Sequence, residues 1–145
     1  MKKVLITGSS SGIGKATAEL FLKNEVPVVG IARQHKKFIH TSKLYKPIEA
    51  DLSLIESLPK LITTILEEHP DIDIFISNAG YGDFQSIENF SANQIQNFLN
   101  LNLVSHITLC RFIVSHMKSK KNGNIFFIGS ESGLAGKKKG TLYSA

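Results

Sequence analysis

The sequence is poor in the residues that several chemistries require. It holds one cysteine, Cys110, so no intrachain disulfide can form, which fits a reducing compartment. Cys110 sits in an apolar helical run and reads as a small buried hydrophobe rather than a nucleophile. The five histidines, His35, His40, His69, His106 and His116, show no HxxxH or HExxH spacing and no partner cysteines, so no metal site is read. No uninterrupted apolar run approaches the roughly 20 residues that span a bilayer. The apolar stretch Val4–Ile6 behind Lys2 and Lys3 falls short of a signal-peptide core of about 7–15 residues. No membrane association is expected, and the cytoplasm is the expected compartment. Positive charge is mild, +5, and spread over separate lysine groups at 2–3, 36–37, 118–121 and 137–139. No interleaving of aromatic and basic residues accompanies it, which argues against nucleic acid as a partner.

What the chain does have is an alternation of buried strands and helical patterns. A hydrophobic share of 42% with 20% charge and 11 glycines is ordinary for a globular protein and decides against disorder. "KVLITG" (3–8), "VPVVGIA" (26–32), "IDIFISNAG" (72–80) and "GNIFFIGS" (123–130) are apolar without alternation, as strands buried on both faces must be. "KPIEA" (46–50) reads as a short further strand, and Pro27 as the first residue of its own. Helical periodicity runs over 12–24, about 58–69 and about 91–117. Ser57 is the expected N-cap of the second helix, with Pro59 in its first turn. This order predicts an α/β fold with a doubly wound parallel sheet covered on both faces, and no compositional shift divides residues 1–145 into more than one domain.

"TGSSSGIG" (7–14) joins the first strand to the first helix. Gly8, Gly12 and Gly14 permit a tight turn, close approach of backbone to a pyrophosphate, and close helix–strand packing. The amides at the helix start, with the helix dipole, favour an anion there. At the end of the second strand, where a carboxylate would bind ribose hydroxyls, stand Ile31, Ala32 and Arg33, followed by Lys36 and Lys37. No acid is present there to repel a 2′-phosphate, and Arg33 can pair with one.

These segments, with "DL" at 51–52, "NAG" at 78–80, "NLNLVS" around Asn102, "GS" ending at Ser130 and "YSA" from Tyr143, resemble the short-chain dehydrogenase/reductase family in order and spacing. The resemblance spans the whole chain, and Tyr143 follows Ser130 by thirteen residues as in that family's active site. It implies a Rossmann-like sheet in strand order 3-2-1-4-5 with the 123–130 strand at one edge. It implies a dinucleotide loop of Gly8, Gly12, Ile13 and Gly14 lined by Ser9, Ser10 and Ser11. Asp51 and Leu52 would border the adenine, although Asp51 also reads as a cap of the turn before the next helix. Asn78, Ala79 and Gly80 would support the sheet and touch the cofactor. Asn102 would disturb its helix and hold a water of a proton relay, whereas by its own pattern it reads as an exposed helix asparagine.

The chemistry implied by the resemblance rests on Tyr143, which exchanges a proton with the substrate oxygen, and Ser130, which hydrogen-bonds the same oxygen. A phenol, of ordinary pKa about 10, needs a neighbouring cation for this at neutral pH. The family has a lysine four residues after the tyrosine, here position 147, so the chain reads as truncated relative to the family. The expected function is an NADP-dependent oxidoreductase, preferring NADP(H) over NAD(H), that passes hydride between nicotinamide and a small-molecule carbonyl or alcohol, as a homo-oligomer. A catalytically inactive nucleotide-binding remnant or interaction module stays open beside it.

Overall fold

The computed structural model describes residues 2–35 and 42–145. Lys36 and Lys37 lie outside the described residues. Five parallel strands form one sheet in the order β3-β2-β1-β4-β5: β1 Lys3–Thr7, β2 Val28–Ala32, β3 Tyr45–Glu49, β4 Ile72–Ser77 and β5 Asn124–Phe127. The expected order and the edge position of the 123–130 strand both hold. The three central strands are buried along nearly their whole length, which explains their β-branched, non-alternating sequence.

Helix α1 (Gly12–Lys23) packs Ala18 and Leu22 on one face of the sheet, against Val4, Ile6, Val28, Tyr45, Ile74 and Ile76. On the other face α2 (Leu58–Glu68) and α4 (Ser105–Lys120) bury Leu58, Ile62 and Ile65, and Leu109, Ile113 and Met117, against Leu5, Val29, Ile31 and Phe75. Burial of an aliphatic side chain contributes about 1.5–3 kcal/mol, so these two layers supply the main driving force for the fold.

Several boundaries differ from the sequence expectation. Pro27 lies before β2, where its carbonyl accepts from the Val4 amide at 3.0 Å. Ser57 is in the αR region and donates to the Leu54 carbonyl at 2.7 Å instead of capping α2, because a 3₁₀ turn (Ile55–Ser57) runs directly into that helix. The long helical stretch is α3 (Ala92–Leu99), a π-helical segment (Asn100–Val104) and α4 in succession. Ser91 opens α3 with a capping box, Oγ accepting from the Gln94 amide and Gln94 Oε1 from the Ser91 amide.

By length and composition the stretch Ala92–Lys120, 29 residues with a mean hydropathy of 1.3 in its most apolar part, could cross a membrane. Counting uninterrupted apolar runs missed this. In this fold the α4 part of the stretch packs on α2 and the sheet, with Leu109, Ile113 and Met117 in the core.

Candidate functional site: a glycine cradle and the exits of four strands

The β1–α1 turn is made by backbone conformations open to glycine. Gly8 has φ +69° and Gly12 φ +53°, in the left-handed region. Gly14 is required for another reason: a Cβ there would collide with the Gly8 carbonyl and the Asn78 side chain. A Cβ on Gly8 would sit 2.9 Å from Asn78 Nδ2 and 3.0 Å from Ala79 Cα. Next to Gly12 nothing lies within 4 Å, so the cradle opens outward there. The amides of the first turn of α1 are not capped by the Ser11 side chain, and the turn carries no acid. An uncapped, acid-free helix start with a glycine approach is a seat for phosphate.

The exit of β4 braces that seat. Thr7 Oγ1 accepts from the amides of Asn78 and Ala79, both at 2.9 Å, while Asn78 Nδ2 donates to the carbonyls of Thr7 (2.9 Å) and Gly8 (3.4 Å). His106, which the sequence reading weighed only as a metal ligand, fastens the same exit to α4. Its Nε2 pairs with the Ala79 carbonyl at 2.7 Å, which fixes Nε2 as the protonated nitrogen. Nδ1 therefore accepts from the Ser77 hydroxyl. Burial lowers the His106 pKa, opposed by that carbonyl bond.

At the exit of β2, Arg33 is exposed, and its guanidinium contributes to the field on Asp51. Burial raises the Asp51 pKa, but the Ser53 hydroxyl and amide and the Arg33 charge outweigh it and leave the carboxyl below its ordinary value. Asp51 Oδ1 accepts from Ser53 Oγ at 2.7 Å and Ser53 N at 2.9 Å, so the turn-capping reading of this residue holds. Leu52 is buried in the core beside Ile31 and Leu58. Ser10 and Ser11 are at least partly open to solvent, and Ile13 is 61% exposed at the cradle's lip. Ser9 differs: it is fully buried, and its hydroxyl turns beneath the loop to Tyr45. It does not line the cradle with its side chain.

The expectation of no acid near Arg33 needs a correction of reach. The strand register sets Glu49 of β3 opposite Ala32, and Glu49 Oε1 accepts from the His35 amide at 3.3 Å. An acid thus stands beside the β2 exit, brought by the neighbouring strand. Inspection of β2 alone could not find it.

Asn102 lies in the π-helical segment, in keeping with the helix disturbance expected there. Its Nδ2 donates to the Tyr81 carbonyl at 2.9 Å and its Oδ1 accepts from the Tyr81 amide at 3.0 Å. A Cβ on Gly80 would lie 2.7 Å from Asn102 Oδ1, so glycine at 80 permits the grip. Tyr143, in the short helix α5 (Thr141–Ser144), sets its ring edge-to-face on Phe84 at 5.5 Å and on Phe98 at 6.1 Å. Phe98 also carries the Tyr81 ring at 5.1 Å. Asn102 and Tyr143 therefore address one segment, 80–84. Ser130 follows β5 and accepts from the Ser132 amide at 3.2 Å. No hydrogen bond joins Ser130 to Tyr143 among the described residues.

The family model described as short chain dehydrogenase matches residues 2–145. This chain belongs to the short-chain dehydrogenase family. An NADP-dependent 3-hydroxy acid dehydrogenase of Schizosaccharomyces pombe is 28% identical, covering 98% of this chain and 59% of the relative. The solved structure of ElxO with NADP bound superposes with a TM-score of 0.87 at 27% identity, over 99% of this chain and 62% of that one. A 4-hydroxyisoleucine dehydrogenase complexed with NADH and succinate gives a TM-score of 0.88 at 27% identity, over 97% and 64%. The chain spans about half the length of the curated relatives it matches.

Membership in the short-chain dehydrogenases gives the cradle a natural occupant to test for fit. The open backbone at Gly12 matches a dinucleotide pyrophosphate on space, and the uncapped, acid-free start of α1 matches it on charge. Among the described residues no group of three or more His, Cys, Asp or Glu could hold a metal ion.

Proposed function

We propose that this chain holds NADP(H) and carries part of the catalytic site of an oxidoreductase acting on small-molecule carbonyls or alcohols. The observation that carries the reading is the braced glycine cradle with Arg33 at the neighbouring strand exit. The NADP named for one relative and one solved neighbour supports NADP; the NADH in another neighbour makes Arg33 the residue to test.

In this reading the α1 amides and the backbone at 8–14 hold the pyrophosphate, and Arg33 meets the 2′-phosphate by charge-assisted hydrogen bonds. The nicotinamide, when bound, supplies or takes up hydride at the substrate carbon. Tyr143 gives its phenol proton to the carbonyl oxygen, or, as the phenolate, takes the proton of the alcohol. Ser130 Oγ already accepts from the Ser132 amide, so its own proton is free to be donated to the same substrate oxygen. Asn102 fixes Tyr81 and keeps one further hydrogen-bonding direction at each end of its amide, enough to hold a water.

Titration calorimetry with NADPH and NADH tests the reading. NADPH should bind more tightly, and Arg33→Ala should remove about 10–100-fold of NADPH affinity while leaving NADH nearly unchanged. Equal loss for both cofactors would assign Arg33 a structural role and overturn the assignment.

A further inference from the structure

Beneath the cradle runs a chain of polar groups on the α1 face of the sheet. Ser9 Oγ lies 3.0 Å from the Tyr45 hydroxyl, which lies 3.1 Å from His35 Nδ1. His35 Nε2 lies 3.1 Å from the Ile48 carbonyl. A carbonyl only accepts, so Nε2 carries the proton and Nδ1 is an acceptor. The Tyr45 hydroxyl then donates to Nδ1 and accepts from Ser9. The chain runs in one direction: Ser9 to Tyr45, Tyr45 to His35, His35 to Ile48.

Ser9 and His35 are buried and Tyr45 nearly so, at 0%, 8% and 9% exposure. Buried polar groups of this kind persist where each finds a partner, and they fix one arrangement of the elements that carry them. The elements here are the glycine loop, the β2 exit and β3. Gly30 shows how closely they are drawn together. It is buried inside a central strand, a poor place for glycine, and a Cβ there would strike both the Ser9 hydroxyl and the Tyr45 ring. His35 is tied a second time through its amide to Glu49. Arg33 is two residues upstream of this double anchor.

We propose that Ser9, Tyr45 and His35 form a positioning unit that fixes the β2 exit against the glycine loop. It thereby sets how firmly Arg33 can hold the 2′-phosphate end of a dinucleotide whose pyrophosphate sits in that loop. The inference rests on the NADP(H) reading given above. NADPH spans both anchored elements, whereas NADH has no phosphate for Arg33 to meet. Loosening the unit therefore weakens NADPH more than NADH.

Tyr45→Phe removes one oxygen and strands Ser9 Oγ and His35 Nδ1. It should weaken NADPH about tenfold and NADH only a few-fold. With Arg33→Ala already present, Tyr45→Phe should no longer change the ratio of the two affinities, a non-additivity that a general loss of stability does not produce. His35→Asn, whose amide oxygen can still accept from Tyr45, should keep more of the ratio than His35→Ala. Hydrogen exchange read on the cofactor-free proteins supplies the independent measurement: Tyr45→Phe should speed exchange at the amides of both 8–9 and 33–35. Unchanged exchange together with an unchanged NADPH/NADH ratio overturns the positioning unit. Equal affinity of the unsubstituted protein for both cofactors, with exchange still faster at both segments in Tyr45→Phe, overturns the NADP preference and keeps the unit. Should Tyr45→Phe fail to fold, the exchange and ratio measurements on Ser9→Ala decide in the same way.

Discussion

Asn102 holds Tyr81 by both polar groups of its main chain, donating to the carbonyl at 2.9 Å and accepting from the amide at 3.0 Å. This double bond between a π-helical segment and the loop after β4 fixes the segment on which Tyr143 packs. Asn102→Ala should lower folding stability by about 1–3 kcal/mol in urea titration, because it unpairs two backbone groups. Asn102→Asp keeps the acceptor for the Tyr81 amide and loses the donor, so it should fall between the two. Equal stability of all three proteins would show that water replaces the amide without cost.

The two glycines flanking Ile13 should respond differently to substitution. Gly12→Ala meets open space but keeps a φ of +53°, a strain of about 1–2 kcal/mol. Gly14→Ala drives a methyl group into the Gly8 carbonyl and the Asn78 side chain, both braced by other bonds. It should destabilise more than Gly12→Ala and abolish dinucleotide binding. Denaturation midpoints and calorimetry on the pair test the order.

Glu49→Gln removes the negative charge beside the β2 exit while leaving an oxygen for the His35 amide. NADPH affinity should rise, by less than about tenfold because the group is exposed and screened, and the gain should shrink as salt is added. NADH affinity should stay level. A fall in NADPH affinity would mean that the Glu49–His35 bond matters more than the charge.

The histidines predict a loss of stability in mild acid. Burial lowers the His106 pKa, and burial with the Lys3 ammonium lowers that of His69. Each is depressed below its unfolded value of about 6.5, so the folded state binds fewer protons than the unfolded state. Their contribution is complete above about pH 6.5 and is lost progressively as pH falls below it. Urea midpoints between pH 8 and pH 5 should decline, and His106→Gln should flatten part of that decline. A midpoint that rises on acidification would reverse the sign assigned here.

The proposed reaction can be read through Tyr143→Phe, made in a form of the protein that turns over NADPH. NADPH oxidation against a panel of aldehydes and ketones should fall at least about 10²-fold, with NADPH affinity largely kept. Turnover untouched by the substitution would locate the proton transfer elsewhere.

Much of the fold was legible because its signals are local. Buried parallel strands need unbroken apolar residues, and Val4–Ile6 and Ile72–Ile76 show them except at Asp73, which accepts from the Lys3 amide. Glycines at 8, 12 and 14 announce a turn before any partner is known. What stayed hidden depends on register between distant segments. Starting the third strand at Lys46 left Tyr45 outside it, and with it the link from Ser9 to His35. Glu49 reaches the β2 exit only because β3 pairs with β2 in that alignment. The switch from α to π winding at Asn100 leaves apolar periodicity intact, so no pattern marks it; only the family resemblance at Asn102 implied it.

The Asn78 brace has a thermodynamic corollary. Its bonds to the Thr7 and Gly8 carbonyls, with Thr7 Oγ1 returning the contact to two β4-exit amides, order the cradle during folding. Conformational entropy that a mobile phosphate loop would surrender on each encounter is already surrendered when the sheet forms. In the proposed reading, an arriving dinucleotide would meet a shape that does not have to be found. Removing the brace, as in Asn78→Ala, transfers that entropy from the folding transition to the binding step, where calorimetry would record it as a less favourable binding entropy.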